Sequence, residues 1–236
     1  MDLNNLSLHS PYDGIDDITI DDGSGLNITH AVKGPNGTEE DREPEDRISE
    51  LPDAIIIQIL SFLPTIVVVR TSLFSKRWRH VWTLVPVLDF SDSREVEFFR
   101  RPNEKNNERK KFFKFVDECL KHPYADTTIT KFKLEMDFYG GGHRVDGWLR
   151  FPVIKSVKEL DLHVSPTRSI YYLPNAILSI RTLTLLKLNG LQLNGFPIVS
   201  LPSLKVLYIK FFIMNDKALN NLLLGCPYLE KLDIRG

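Results

Sequence analysis

The chain has 236 residues, of which 42% are hydrophobic, and its formal net charge is −1. That length suffices for one large hydrophobic core, or for a small module followed by a second domain. The near-neutral total conceals two oppositely charged parts. Residues 1–46 carry 12 acidic and 2 basic side chains, a net charge of −10, whereas residues 47–236 carry 19 acidic and 28 basic ones, a net charge of +9.

Cysteine content and hydropathy limit the compartment in which we expect the protein. Cys119 and Cys226 are too few for a disulfide framework and lack metal-ligand spacing, which favours a reducing environment. No apolar run reaches 18 residues, and the N-terminus lacks the basic and then apolar pattern of a secretory signal. We therefore expect the protein in the cytoplasm, in the nucleus, or in both.

Residues 1–45 combine many acidic side chains with Gly, Asn and Ser, and they show no sustained apolar period. Such a segment cannot bury enough apolar surface to offset the conformational entropy lost on ordering. We predict a disordered acidic tail. A solvated tail is the favoured interpretation, and an acidic arm that contacts a basic patch is the alternative.

Residues 46–85 predict a module of three short helices. Pro52 fits the first turn of the first helix, where no backbone N–H is needed, and Pro64 ends the apolar run that follows. Thr65 and Ser75 then stand at the expected N-cap positions of the second and third helices.

The first of these helices is apolar on two faces, so it must be buried on two sides. One face is formed by Leu51, Ile55, Ile59 and Phe62, and the other by Ile56, Leu60 and Leu63. One face can pack on the second and third helices. The other face either packs on the rest of this chain or binds a partner protein, and the periodicity alone leaves both possibilities open.

Four short motifs in this region resemble, in order and spacing, the F-box of plant F-box proteins with leucine-rich repeats. They are Leu51-Pro52-Asp53, Ile59-Leu60-Ser61-Phe62-Leu63-Pro64, Val69-Arg70-Thr71-Ser72 and Ser75-Lys76-Arg77-Trp78-Arg79. The resemblance implies a three-helix module that binds the adaptor subunit of an SCF-type cullin-RING ubiquitin ligase. The sequence departs from the family at Ala54, where Glu is common, and in the unbroken apolar run 66–69.

The remainder, residues 86–236, predicts a leucine-rich-repeat solenoid. A strand over residues 85–90 and an amphipathic helix over residues 112–120 come first, joined by a polar basic connector over residues 91–111. A pattern of three apolar positions then recurs at intervals of 28, 26, 21 and 25 residues, which fall in or near the 20–29 range of leucine-rich repeats. Its five copies are Ile129/Phe132/Leu134, Val157/Leu160/Leu162, Leu183/Leu186/Leu188, Leu204/Leu207/Ile209 and Leu229/Leu232/Ile234.

Each repeat should contribute one strand to a parallel sheet, so the predicted fold class is α/β. The position that usually carries Asn or Cys holds Ser165, Leu191 and Phe212 instead, so we expect irregular curvature. Segments between the strands, from Val145-Asp146-Gly147-Trp148-Leu149 to Gly225-Cys226-Pro227-Tyr228-Leu229-Glu230, also resemble the F-box/FBD/LRR-type plant family, so the resemblance covers residues 47–236. Relative to that family, the chain is expected to lack the C-terminal FBD domain and to hold a C-terminally incomplete solenoid.

The sequence contains no set of residues to which we assign catalysis. The six histidines show no paired zinc spacing, and the glycines at 140–142 lack the Lys-Ser/Thr pair of a phosphate loop. We therefore expect no metal, no cofactor and no enzymatic activity. The family resemblance implies instead a non-catalytic substrate receptor whose F-box binds the adaptor, and through it cullin, and whose repeats bind a target protein.

The candidate binding residues follow from this interpretation. For the adaptor we predict Leu51, Pro52, Ile55, Ile59, Leu60, Leu63, Lys76 and Trp78, although Trp78 also fits an internal anchor of the third helix. For the target, strand alternation suggests Lys158, Asp161, Lys187, Tyr208 and Lys210. One alternative is a truncated decoy that binds the adaptor without a target. A second, from another class, is a basic nucleic-acid-binding protein, which the net charge of +9 on residues 47–236 suggests.

Overall fold

The computed structural model describes residues 18–19, 25–26, 48, 50–91, 105–122, 127–138, 142–166, 170–193, 198–211 and 215–235. The chain forms two compact units, residues 1–50 and residues 51–236. In the first unit, strands β1 (Ile18–Thr19) and β2 (Gly25–Leu26) pair antiparallel. The disorder predicted for residues 1–45 otherwise concerns positions outside the described residues.

The second unit begins with three helices, as the proline and cap positions predict. Helix α1 spans Asp53–Leu60, α2 spans Thr65–Thr71 and α3 spans Lys76–Val81, and a 3-10 turn follows at Trp82–Leu84. Ser75 caps α3 as expected, since its Oγ accepts a hydrogen bond from the Trp78 N–H at 3.4 Å. The predicted cap at Thr65 is wrong by one residue, because Pro64 precedes α2 and Thr65 is its first residue.

One apolar face of α1 packs inward on the other two helices. Ile56 and Leu60 are 1% and 2% exposed and share a hydrophobic core with Val68, Trp78 and Val81. This arrangement confirms that one face of the first helix packs within the module. It also buries the indole of Trp78, whose ring stands nearly perpendicular to that of Phe74, with 6.1 Å between the ring centres.

The helices are followed by alternating strands and helices. In chain order these are β3 (Val87–Ser91), α4 (Lys105–Lys121), β4 (Lys131–Phe138), α5 (Gly142–Lys155), β5 (Glu159–Pro166), β6 (Tyr171–Leu173), β7 (Leu185–Asn189), β8 (Leu191–Leu193), β9 (Val206–Lys210), α6 (Asp216–Leu224) and β10 (Lys231–Arg235), with a 3-10 turn at Asn175–Ser179. The strand predicted over residues 85–90 and the helix over 112–120 therefore exist, although α4 begins earlier, inside the expected connector.

Six of these strands form one parallel sheet in the order β3-β4-β5-β7-β9-β10. Its register aligns the middle positions of all five predicted repeats, which are Phe132, Leu160, Leu186, Leu207 and Leu232. This alignment confirms the repeat interpretation. The second, two-stranded parallel sheet of β6 and β8 was not anticipated from the sequence.

The core lies between the sheet and the helices on its inner side. Phe132, Leu160 and Leu186 are each 0% exposed, whereas Leu232 and Ile234 of β10 remain 41% and 46% exposed. Asp117 links α4 to α5. Its carboxylate accepts hydrogen bonds from two side chains of α5, from Trp148 Nε1 at 2.7 Å and from Arg144 Nη2 at 2.5 Å. Helices α4 and α5 are thereby held in one orientation beneath the sheet.

The edge of the sheet at β3 is covered by the helical module. Thr65, which is 2% exposed, accepts a hydrogen bond on Oγ1 from the backbone N–H of Asp89 at 2.8 Å. An uncovered outer strand would leave such N–H groups free to pair with another chain. The Thr65 hydroxyl on α2 therefore connects the helical module to β3, the first strand of the six-stranded sheet.

Both cysteines are buried thiols, as their small size and apolar surroundings favour. Burial raises the pKa of the Cys119 thiol to about 12 and that of Cys226 to about 11. Neither thiol is therefore ionised at neutral pH.

Candidate protein-binding surfaces

The outer face of α1 is an uncovered apolar surface. Ile55 and Ile59 lie one turn apart and are 43% and 48% exposed, and Phe62, just beyond the helix, is 82% exposed. Residues with this spacing share one face of a helix. We call Ile55, Ile59 and Phe62 the outer α1 face. It is the second apolar face noted in the sequence without Leu51, which packs against the core, and a large part of its surface remains exposed.

Two further apolar side chains of the same module are exposed. Val67 on α2 is 38% exposed, and Phe74, between α2 and α3, is 74% exposed. Single exposed apolar side chains are common on protein surfaces, whereas contiguous exposed apolar patches mark interaction sites. These two side chains extend the set of candidate partner contacts beyond those derived from the sequence, which noted Val67 only as part of the apolar run 66–69 and did not single out Phe74.

The predicted adaptor residues fall into two groups. Ile55 and Ile59 are exposed, as are Pro52 and Lys76, and Leu51 and Leu63 are partly buried against the core. Leu60 and Trp78, in contrast, are only 2% and 6% exposed. Because their side chains are enclosed by this chain, the structure offers neither of them to a partner, and both serve internal packing instead.

An ion pair fixes the orientation of α1 and its outer face. The Arg77 guanidinium donates to Asp53 Oδ1 from Nε at 2.8 Å and from Nη2 at 2.5 Å, and Nη2 also donates to the Leu51 carbonyl. Both nitrogens donate to the same carboxylate oxygen, and charge-assisted hydrogen bonds of this kind are stronger than neutral ones. Arg77 therefore ties the start of α1 to α3.

The outward face of the six-stranded sheet carries rows of polar side chains in register. One row runs across the strands as Asp89, Lys133, Asp161, Lys187, Tyr208 and Asp233. Neighbouring charges in this row attract each other, with Nζ–carboxylate distances of 3.3 Å for Lys133 and Asp89 and of 3.5 Å for Lys187 and Asp161. The next row includes Glu135, His163, Asn189, Lys210 and Arg235.

These two rows, apart from Asp89 on β3, line a groove of about 400 Å³. Four of the five predicted target residues, Asp161, Lys187, Tyr208 and Lys210, lie along it. Lys158 does not line the groove, and it lies just before β5 rather than within it. Strand alternation thus grouped four residues that the structure brings together.

A hydrogen-bonded histidine in the groove was not anticipated from the sequence. His163 Nδ1 lies 3.3 Å from Glu135 Oε1, and its Nε2 lies 3.2 Å from Ser165 Oγ. Alternation along β5 puts His163 and Ser165 on one face, but the Glu135 contact depends on the pairing of β4 with β5. Among the described residues, no three His, Cys, Asp or Glu side chains converge to hold a metal ion. Within the same described ranges, no helix is both long and apolar enough to cross a membrane.

A small helical module with an uncovered apolar face, continuous with a parallel repeat sheet that carries a polar groove, defines a class of protein built to bind other proteins. The F-box domain model matches residues 48–90. A model of the leucine-rich repeats of the FBD-associated F-box protein At5g56370 matches residues 145–236. The chain belongs to the plant F-box/leucine-rich-repeat proteins.

Several curated proteins of Arabidopsis thaliana are similar to this chain. The putative F-box/LRR-repeat protein At5g41840 is 35% identical over 79% of this chain and 36% of its own length. The F-box/FBD/LRR-repeat protein At2g26030 is 35% identical over 78% and 40%, and the F-box/LRR-repeat protein At3g58900 is 34% identical over 80% and 58%. The chain thus spans between about a third and somewhat more than half of these relatives. No solved structure gives a significant match.

Proposed function

We propose that the protein is a substrate-receptor subunit of an SCF-type cullin-RING ubiquitin ligase. Its F-box binds the adaptor subunit through the outer α1 face, and its repeats bind a target protein through the outward face of the sheet. The observation that supports this function best is the two-sided apolar character of α1. One side forms the core of the module, while Ile55, Ile59 and Phe62 stay exposed.

The energy available from this surface is substantial. Full burial of a large apolar side chain contributes about 1.5–3 kcal/mol, and between 43% and 82% of each of these three side chains is still exposed. Covering the remaining area would therefore contribute about 2.5–5 kcal/mol in total. The inner side of α1 is packed and Arg77 holds its start, so little ordering of this helix opposes binding.

The role that follows for the chain is positional and non-catalytic. The helices and the repeats lie within one compact unit, and the Thr65–Asp89 hydrogen bond joins them directly. A target held on the sheet would therefore keep a defined position relative to the adaptor. Holding two reactants close together raises their effective concentration without any chemistry from the protein that holds them.

Calorimetry with a purified plant ligase adaptor tests the first half of this proposal. The variant Ile55→Lys/Ile59→Lys should weaken the Kd by at least about thirtyfold, because two anchors are lost and two charges would have to be desolvated. The matched control is Ile154→Lys/Leu224→Lys, which adds the same charges at two positions that are each 78% exposed on α5 and α6. Equal affinity of wild type and the α1 variant would refute the proposed adaptor surface.

The second half requires a target and a location. A protein that is captured by proximity labelling and that accumulates when this chain is removed would support a receptor, whereas adaptor binding without any such protein would favour the decoy. We further propose that the protein acts in the cytoplasm, in the nucleus, or in both. A fluorescent fusion expressed in plant cells tests this location.

A further inference from the structure

Charge is distributed unequally over the outward face of the sheet. On β3, β4 and β5 this face carries five acidic and two basic side chains, a net charge of −3, with histidine taken as neutral. On β7, β9 and β10 it carries four basic and one acidic side chain, a net charge of +3. The four cations of this second half, which we call the basic half, are Lys187, Lys210, Lys231 and Arg235.

Two cations of the basic half, Lys210 and Lys231, have no carboxylate oxygen of the described residues within 4.0 Å, although Asp233 attracts Lys231 at longer range. Lys210 Nζ lies 5.0 Å from the ring centre of Phe211, and Lys231 Nζ lies 5.2 Å from the ring centre of Tyr208. In contrast, Arg235 pairs with Asp233 of its own strand at 2.8 Å. On β3, β4 and β5, four carboxylates each lie within 4.0 Å of a lysine Nζ, namely those of Asp89, Glu135, Glu159 and Asp161.

We propose that the basic half binds an extended segment of the target that carries two carboxylate side chains four residues apart. This inference rests on the proposed receptor function and names the chemical class of its target. In the sheet register Lys231 lies beside Val206, and Lys210 follows four residues later along β9. Four residues of strand span about 13 Å, which is also the separation of positions i and i+4 in an extended peptide.

An apolar residue midway between the two carboxylates completes the expected segment. Along β9, Tyr208 lies midway between Val206, which is the register partner of Lys231, and Lys210. Its ring centre lies 5.7 Å from Lys187 Nζ and 5.2 Å from Lys231 Nζ. Phe211, at the end of β9, is 59% exposed. Cations on aromatic faces remain available to an anion while the rings provide apolar contact area.

The surrounding charges favour an acidic peptide over a nucleic acid. A polyanion that crossed the sheet would pass from the basic half over five carboxylates, whereas a short peptide running along β9 stays on the basic half. Like charges in such proximity oppose binding. The same argument predicts a moderate dependence of peptide binding on salt, since exposed charge pairs are screened.

Fluorescence anisotropy with the full chain tests the proposal. The probe is a fluorescein-labelled decapeptide with glutamate at its third and seventh positions and leucine at its fifth, compared with the same peptide carrying glutamine in place of glutamate. The variant Lys210→Glu/Lys231→Glu should weaken binding by about tenfold or more at low salt. The control is Lys110→Glu/Lys114→Glu, which makes the same change of charge at two exposed positions of α4.

Binding of the glutamate peptide that is lost in the β9–β10 variant and retained in the α4 control supports the inference. Equal binding of both peptides, equal effects of both variants, or tighter binding of a labelled single-stranded oligonucleotide would overturn it. Adaptor binding, measured by calorimetry on the same preparations, separates the two proposals. A wild type that binds the adaptor but not the peptide refutes only the acidic-segment inference, whereas the absence of adaptor binding refutes the receptor function itself.

Discussion

Replacing Thr65 by valine removes the hydrogen bond that joins α2 to the sheet and leaves the shape of the side chain almost unchanged. The Asp89 N–H, now 2.8 Å from Thr65 Oγ1, would lose its acceptor, and the site is enclosed because Thr65 is 2% exposed. An unsatisfied donor in an enclosed site costs about 1–3 kcal/mol. We therefore expect Thr65→Val to lower the free energy of unfolding by this amount.

The measurement combines urea unfolding with amide hydrogen exchange at Asp89. If the lost bond acts locally, protection of the Asp89 amide should fall by about tenfold for each 1.4 kcal/mol, while Thr65→Ser keeps the oxygen and preserves this protection. Thr71→Val is the matched control, because the Thr71 hydroxyl is also buried but donates within its own helix, to the Val68 carbonyl at 2.7 Å. Unchanged protection and stability in Thr65→Val would refute the reasoning.

Two further predictions concern glycines and thiols. Gly147→Ala should raise the free energy of unfolding by about 0.5–1 kcal/mol, because it lies inside α5 and no atom beyond its own stretch of helix lies within 4 Å of a new Cβ. Gly225→Ala should lower the free energy of unfolding, because a Cβ added at Gly225 would lie 2.5 Å from the Val199 carbonyl oxygen. Burial of Cys119 and Cys226 raises their pKa values in the folded state to about 12 and 11, above an ordinary pKa near 9. The stabilisation that each buried neutral thiol provides is therefore fully present below pH 9 and decreases as the pH rises toward the folded-state pKa. At pH 10 each thiol has lost about 1.4 kcal/mol of this stabilisation.

Urea unfolding checks both predictions. The two glycine variants serve as controls for each other, and a shift of the same sign in both would contradict the steric argument. For the thiols, Cys119→Ala/Cys226→Ala should show a shallower loss of stability between pH 8 and pH 10 than wild type. Parallel pH profiles of the two proteins would exclude the thiols as the cause.

Several features of this protein follow from local sequence alone. The period of the apolar positions predicted five strands and their register, because each strand buries alternate residues and a shift by one residue would expose its leucines. Ser75 identified the start of α3, since a cap needs only a side-chain oxygen three residues before the N–H that it accepts. These signals lie within a few residues of the structure that they specify.

Other features depended on residues far apart in the chain. Both faces of α1 are apolar, so the sequence could not show that Ile56 and Leu60 are buried while Ile55 and Ile59 are exposed. Packing on α3 decided between the two faces, and it also removed Leu60 from the candidate adaptor surface. The acceptor role of Thr65 likewise required a strand 24 residues away.

The same division holds on the sheet. Alternation along single strands identified outward side chains such as Lys187 and Tyr208, but the sequence did not predict the strands β6 and β8 or the pairing that brings Glu135 to His163. The sequence by itself determined which elements form and which residues alternate along them, because those properties are set by local backbone geometry. Only the tertiary structure decided which faces remain exposed and which charges find partners, because those properties depend on neighbours that chain folding brings together.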